Sequence, residues 1–301
     1  MNATKIHSGS LVKSRLTPVL VCLSVSVALG VSSCGGNTTK PTPVTPPIVE
    51  PPPVVRNDAP VIVSMTVSSP RVEADQEVVA TAFVSDAETP LDRLTYQWSA
   101  TPMNGTFTGP GPVATWRAPR QQPTPDTYSL KIQITEKYTS AGLPQENNVS
   151  SSVQVHYNDS IREITTISMR FLTELFPTYT VTAQQAVIDF SDSCSEKSSE
   201  QNDVANNRIN YQILSGTYTN VSVTPNSGRT FADVSGSCVF KDMPKDSKDP
   251  NFGKTETVSG ICRLTAIYEN WRWWLCSSKF EGTGITTNSL RYRVPGRLVS
   301  E

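Results

Sequence analysis

Four large aromatic rings fall within seven residues near the C-terminus: Tyr268, Trp271, Trp273 and Trp274. On a β-strand, Trp271 and Trp273 would point to one side and Trp274 to the other. At least one ring would then face away from a core. An exposed Trp face can grip a sugar or a peptide, because it offers much contact area for little entropy loss. The plainer reading is that both faces of that strand are covered. A second set of chemically capable residues is Cys194, Cys238, Cys262 and Cys276. These could ligate zinc as four thiolates or pair as two disulfides, and no two of them have the C-x-x-C spacing of a zinc site.

The N-terminus decides between these. Lys5, Lys13 and Arg15 precede an apolar run from Leu16, with no acid before it. A basic stretch, a short apolar stretch and small residues at its end make a secretory signal over residues 1–33. The close of that signal, Val31-Ser32-Ser33-Cys34, resembles the lipobox of bacterial lipoproteins. The resemblance implies lipidation of Cys34, palmitate among the acyl chains, and cleavage before it. Attachment to the membrane would then run through the N-terminal lipid. Gly35 after the anchor, by similarity to sorted lipoproteins of two-membrane bacteria, favours the outer membrane within the cell envelope. An uncleaved anchor helix is the rival, but the run is short for a span and contains Pro18. Export favours two disulfides, with three connectivities open. A turn near Glu269 would set Cys262 opposite Cys276, and a turn near Pro250 would set Cys238 opposite Cys262. Both cannot be bonds, and Cys194 must take a strand cysteine if all four pair.

Cleavage also removes His7 and leaves His156 as the single histidine of the mature chain. That excludes multi-histidine metal sites, and it excludes Ser-His-Asp and Cys-His systems unless His156 serves them. The signal carries three of the 26 basic residues and none of the 27 acidic ones, so the mature chain is near −4. With no basic block, no nucleic-acid partner is expected.

Residues 34–57 are dense in Pro and Thr and read as an extended, lipidated spacer. Residues 58–157 read as an all-β sandwich: VIVSMTV, EVVATAFVSD, LTYQWSA, VATWRAP, YSLKIQITE and SSVQVHY alternate apolar and polar positions between turn formers. The series Leu94-Thr-Tyr96-Gln-Trp98, Gly105-Thr-Phe107, Thr115-Trp116-Arg-Ala118-Pro119 and Tyr128-Ser-Leu-Lys-Ile132 resembles the immunoglobulin-like and polycystic-kidney-disease (PKD-type) repeats of bacterial surface proteins. That resemblance implies spacing and adhesion, with Trp98 and Trp116 as core rings. Asp86, Glu88 and Asp92 fall where related domains sometimes hold calcium. The D-x-D-G-D pattern is missing, which favours a solvated acidic turn.

Residues 158–301 change character to α+β. Ser160-Ile-Arg-Glu163 reads as a capping box, followed by Ile161, Ile164, Ile167, Phe171, Leu172 and Leu175 at helical spacing. Thr182-Ala-Gln-Gln185 starts a second helix to about Phe190, and a third is expected over 200–212. Strands follow: TYTNVSVTP, TFADVSGSCVF, ETVSGICRLTAIYE, WRWWLCSSKFEG and SLRYRVP. Helices first and an antiparallel meander after them indicate helices laid across one sheet face. This order, with Phe190-Ser-Asp192-Ser-Cys194 and the aromatic strand, looks like the nuclear transport factor 2-like fold, a curved-sheet cone. An inserted KDMPKDSKDPNFGK lengthens one hairpin.

That resemblance implies a cavity in which catalytic members set an Asp or His base against a Tyr or Asp donor. Asp189, Asp192, Asp233 and Tyr218 are the candidates here, and no pattern fixes a pair. The expectation is therefore a non-enzymatic envelope lipoprotein that presents a module for a small molecule, glycan or protein ligand, with no cofactor. The alternative is an envelope enzyme of ketosteroid-isomerase or dehydratase type.

Overall fold

The computed structural model describes residues 56–175, 180–249, 251–282 and the backbone of 285–287. The signal at 1–33, Cys34, nearly all of the 34–57 spacer and the SLRYRVP segment lie outside the described residues. Pro52–Glu301 form one compact unit. Among the described residues no helix is long and apolar enough to cross a membrane.

The first half is two four-stranded sheets. One has the order β1 (Val61–Val67), β3 (Glu77–Ser85), β6 (Val113–Arg117), β5 (Thr106–Thr108). The other has the order β2 (Arg71–Glu73), β8 (Leu143–Asn158), β7 (Asp126–Ser140), β4 (Thr95–Thr101). Period-two alternation aims Val78, Ala80 and Trp116 of the first sheet at Tyr128, Leu130, Val155 and Tyr157 of the second, in one buried cluster. Trp116 and Tyr128 lie 5.0 Å apart between ring centres. Gly105 fits beneath Trp116 at φ +80, where a Cβ would come within 2.4 Å of the indole nitrogen. Trp98 is partly buried and donates its indole N–H to the Gly111 carbonyl at 3.0 Å.

Two elements here were not anticipated as strands. β5 is three residues long, and β2 pairs in parallel with the end of β8, setting Arg71 opposite His156 and Glu73 opposite Asn158.

Among its described residues, the second half has three α-helices and a five-stranded sheet of order β13-β12-β11-β10-β9. β8 passes into α1 (Ser160–Met169) through Asp159 alone, and α1 continues as a π-helical turn, Arg170–Leu175. α2 (Ala183–Ala186) is shorter than expected, but its Thr182/Gln185 capping box is formed as read. α3 (Glu196–Asn210) begins four residues before the expected start. β9 (Tyr211–Pro225), β10 (Phe231–Pro244), β11 (Glu256–Glu269), β12 (Arg272–Gly282) and the short β13 (Ile285–Thr287) are all antiparallel. Bulges between Ser235 and Ser237, Lys241 and Asp242, and Thr265 and Ala266 bend the ladder. Ile164, Ile167, Phe171, Phe190 and Val204 pack from the helical side onto Val234, Leu264, Trp273 and Leu275 of the sheet.

The capping box read at Ser160 and Glu163 is corrected. Asp159 is the N-cap, its Oδ1 accepting from the Arg162 amide at 3.2 Å. Ser160 and Glu163 are drawn into contacts with the first half instead. The cysteines form Cys194–Cys276 and Cys238–Cys262. In the β10–β11 ladder Gly236 faces Cys262 and Cys238 faces Gly260, so that pair bonds along the diagonal. Cys262 sits opposite Phe280, not opposite Cys276, because the hairpin turns at Asn270–Trp271. Cys276 is the extra residue of the bulge opposite Thr265/Ala266, which frees it to reach Cys194.

Candidate functional site

The aromatic run divides three ways. Asn270 and Trp271 both have positive φ, 50 and 65, and form the two-residue turn between β11 and β12. A bulky residue rarely adopts that backbone. Here the indole, 45% exposed, lies flat on His156 with ring centres 3.9 Å apart. Burial lowers the His156 pKa, and Thr127 Oγ1 lies 3.2 Å from its Nδ1. Trp271 is thus a turn residue and does not share a strand face with Trp273. Trp273 is buried and donates Nε1–H to Ser160 Oγ at 2.8 Å. Trp274, on the opposite face, is half-buried, and the Arg272 guanidinium lies 4.0 Å from the centre of its ring.

Around Trp273 the two halves are joined by buried polar groups. Ser160 Oγ donates to Glu73 Oε1 at 2.7 Å, and Glu73 is paired with Arg71 at 2.6 Å and Arg229 at 3.1 Å. Arg71 lies 3.5 Å over the Tyr268 ring. Burial pushes the Tyr268 hydroxyl up to about 12, and it donates to Asn158 Oδ1 at 2.6 Å. Asn158 Nδ2 donates to Glu163 Oε1 at 2.9 Å, and Thr124 Oγ1 donates to the same oxygen. Two neutral donors thus hold Glu163 Oε1 in place.

Beside this joint runs a groove of about 300 Å³. One wall is α1 and the start of the π-helical turn that continues it, where Arg162, Thr166 and Arg170 recur every four residues and so form one stripe. The facing wall is Arg272 and Trp273 of β12, and the rim is Pro123-Thr124-Pro125 from the first half. Asp189 bridges two of the arginines. Its backbone carbonyl accepts from the Leu275 amide at 2.8 Å, which fixes it beside β12. Its carboxylate is buried, accepts from Arg170 Nε at 2.6 Å and lies 3.6 Å from Arg272 Nη2. Among the described residues, Arg162 is paired with Asp159, at 3.5 Å. Two guanidinium nitrogens, Arg162 Nη2 and Arg272 Nε, are shut away from water with no hydrogen-bond acceptor among the described residues. A second concavity of about 440 Å³ lies on the sheet at Asp233, Ser235, Thr265, Arg263 and Lys279. Its two cations each pair with Glu281 at 3.0 Å.

The residues named for acid–base work are separated. Asp189 is held between Arg170 and Arg272. The Asp192 side chain is 96% exposed and paired with Lys197 at 2.7 Å. Tyr218 lies in the core against Gly236, where burial pushes its hydroxyl up to about 12 and leaves it with no partner among the described residues. No hydrogen bond joins either carboxylate to Tyr218. In the first half, Asp86 Oδ1 accepts from the Glu88 and Thr89 amides at 2.9 and 2.7 Å, an acidic turn, while Glu88 and Asp92 face solvent. Among the described residues no group of three or more His, Cys, Asp or Glu side chains could hold a metal ion.

Sequence reasoning missed Arg162, Arg170, Arg272 and Glu200. The four-residue spacing of Arg162, Thr166 and Arg170 was the available signal for the first two. Glu200 of α3 is buried, which raises its pKa to about 7, and Ser278 donates to it from N at 3.1 Å and from Oγ at 2.6 Å.

No protein-family model matches the chain, and no curated protein does. Among solved structures, similarity is found to a protein described as a scytalone dehydratase from Novosphingobium aromaticivorans DSM 12444. The identity is 13% and the TM-score 0.35, covering 44% of this chain and 88% of that one. It is also found to the intermembrane space region of the chloroplast protein ARC6, at 15% identity and a TM-score of 0.30, covering 40% of this chain and 96% of that one.

Proposed function

We propose that the chain is a non-enzymatic, lipid-anchored protein of the bacterial cell envelope, held in the outer membrane through Cys34. In this reading an immunoglobulin-like, PKD-type sandwich and a nuclear transport factor 2-like α+β half together present one binding module. Its ligand is a small molecule, a glycan or an envelope protein. The observation that carries the reading is the groove at the joint, where three arginines and a buried Trp line a concavity built from both halves. The rival, an enzyme of ketosteroid-isomerase or dehydratase type, needs a carboxylate and a tyrosine converging on one cavity. Asp189 is instead committed to two arginines and Tyr218 to the core.

The anchoring is tested with Cys34→Ala in a bacterial host. Expected is loss of palmitate incorporation, retention of the uncleaved mass and departure from the outer-membrane fraction. Unchanged membrane association and processed mass would refute the anchor.

A further inference from the structure

We infer that the chain pairs with a second copy of itself through the free edge of β4, antiparallel and about a twofold axis. A sheet edge presents unpaired N–H and C=O groups, and folded proteins blunt it with short strands, bulges, prolines, charges or a covering segment. Among the described residues the other edges carry such devices. β2, β5 and β13 are three residues long. β1 is bulged between Ile62 and Ser64, and β9 shifts register against β10 at two places. β8 lies beside β1 and carries Pro144 and Glu146, and the part of β7 that runs past β4 opens with Glu136 and Lys137. The edge of β12 is bonded to Asp189 and Ser191 through Leu275.

β4 has none of these. It reads TYQWSAT, without charge or proline, and pairs in unbroken register with β7, from Thr95 opposite Thr135 to Thr101 opposite Ser129. It is the last strand of its sheet, and among the described residues no backbone hydrogen bond reaches it from outside that ladder. Tyr96 Oη donates to the Leu91 carbonyl and Trp98 Nε1 to that of Gly111, each at 3.0 Å, so the strand is held from its inner side. A preformed edge lowers the ordering cost of adding a strand.

The chemistry of the strand selects its own copy. Across a twofold axis a residue near the axis meets itself or a near neighbour, so a charge there would repel its image. With the axis at Trp98, Gln97 lies opposite Ser99, Thr95 opposite Thr101, and Tyr96 opposite Ala100. Amide then meets hydroxyl, hydroxyl meets hydroxyl, and a large side chain meets a small one. Thr95, Gln97, Ser99 and Thr101 are exposed. The charge nearest the middle of the strand on that face is Lys131 of β7, opposite Ser99. Its two copies would stand three strand spacings apart, about 14 Å, beyond the screening length of about 8 Å at physiological ionic strength. Exposed apolar residues mark both ends of the edge: Leu91, 42% exposed, in a 3₁₀ turn before β4, and Met103, 92% exposed, after it. Antiparallel pairing carries the Met103 end of each copy to the Leu91 end of the other, reciprocally, as a twofold contact requires.

Sedimentation equilibrium on the purified full chain in mild detergent, from about 5 to 300 µM, is the test. A monomer–dimer equilibrium with a dissociation constant of about 100 µM or tighter is expected. Gln97→Lys combined with Ser99→Lys sets like charges opposite each other twice across the axis and should weaken association about tenfold or more. Two single variants, Ser150→Lys on the outer face of β8 and Phe83→Lys on the exposed face of β3, should associate as the wild type does. Circular dichroism checks that every variant folds. Hydrogen exchange should show amides of Thr95–Thr101 slowing as the concentration rises through the dissociation constant. A monomer at every concentration, wild-type association of the β4 double variant, or unchanged exchange in β4 would overturn the assignment. So would loss of the dimer in Phe83→Lys alone, which would move the contact to the outer face of the first sheet.

Discussion

Glu200→Gln probes how the second half is held together. Glu200 lies between α3 and β12, and burial raises its pKa from an ordinary 4.5 to about 7, with the neighbouring Asp203 and Glu196 charges adding to the rise. A folded-state value above the unfolded one means that the folded protein binds the proton more tightly between those two pH values. Stability is therefore fully present below about 4.5 and is lost as pH climbs through about 7. At roughly 1.4 kcal/mol for each tenfold change in proton affinity, the full loss is about 3 kcal/mol. Gln has the same shape, keeps a carbonyl oxygen for the Ser278 N–H and O–H, and does not titrate. The variant should match the wild type in acid and exceed it by about 2–3 kcal/mol at pH 8. His156 acts in the opposite sense, since burial lowers its pKa, and it cancels in the comparison of the two proteins. Urea denaturation at several pH values between 5 and 8 measures the difference. Parallel pH profiles for the two proteins would refute the claim that Glu200 is a buried neutral acid.

Other perturbations give further checks. Replacing Cys194 and Cys276 by Ser opens a link between residues 82 apart and should cost about 4–5 kcal/mol, against about 3–4 for the Cys238–Cys262 pair, 24 apart. Urea midpoints of the two double variants read that order directly. Ser160→Ala deprives Trp273 Nε1 and Glu73 of a buried partner and is expected to lower stability by about 2–3 kcal/mol. A cost below about 0.5 kcal/mol would show that this hydroxyl does not hold the joint. Tyr218→Phe removes a buried, unpartnered hydroxyl, so thermal unfolding should show no loss, and a gain of up to about 1 kcal/mol.

What was legible in the sequence was local and periodic. β11 has the limits read from its alternation, because it turns one face to a core and a one-residue slip would invert every side chain; β1 also has its expected limits, although a bulge between Ile62 and Ser64 interrupts its alternation. The Thr182 capping box likewise needs only residues three apart. The Ser160 box has the analogous Ser/Glu pair but is not formed, because Glu73, Trp273, Thr124 and Asn158 engage its side chains instead. The pairing of the cysteines hinged on a bulge at Cys276 and a turn one residue later than expected, neither of which composition marks. The groove was the least visible feature. Its arginines come from α1, the π-helical turn after it and β12, more than a hundred positions apart, and Arg272 lies inside a run that is conspicuous for its tryptophans.

A hinge needs slack backbone, and only Asp159 stands between the last residue of β8 and the first of α1. The parallel β2 strand, the Glu73–Ser160 contact and the His156–Trp271 stack brace the same corner from three sides. A molecule entering beside that corner would meet a fixed notch, not a jaw. Selectivity would then rest on the shape and charge already present at that corner.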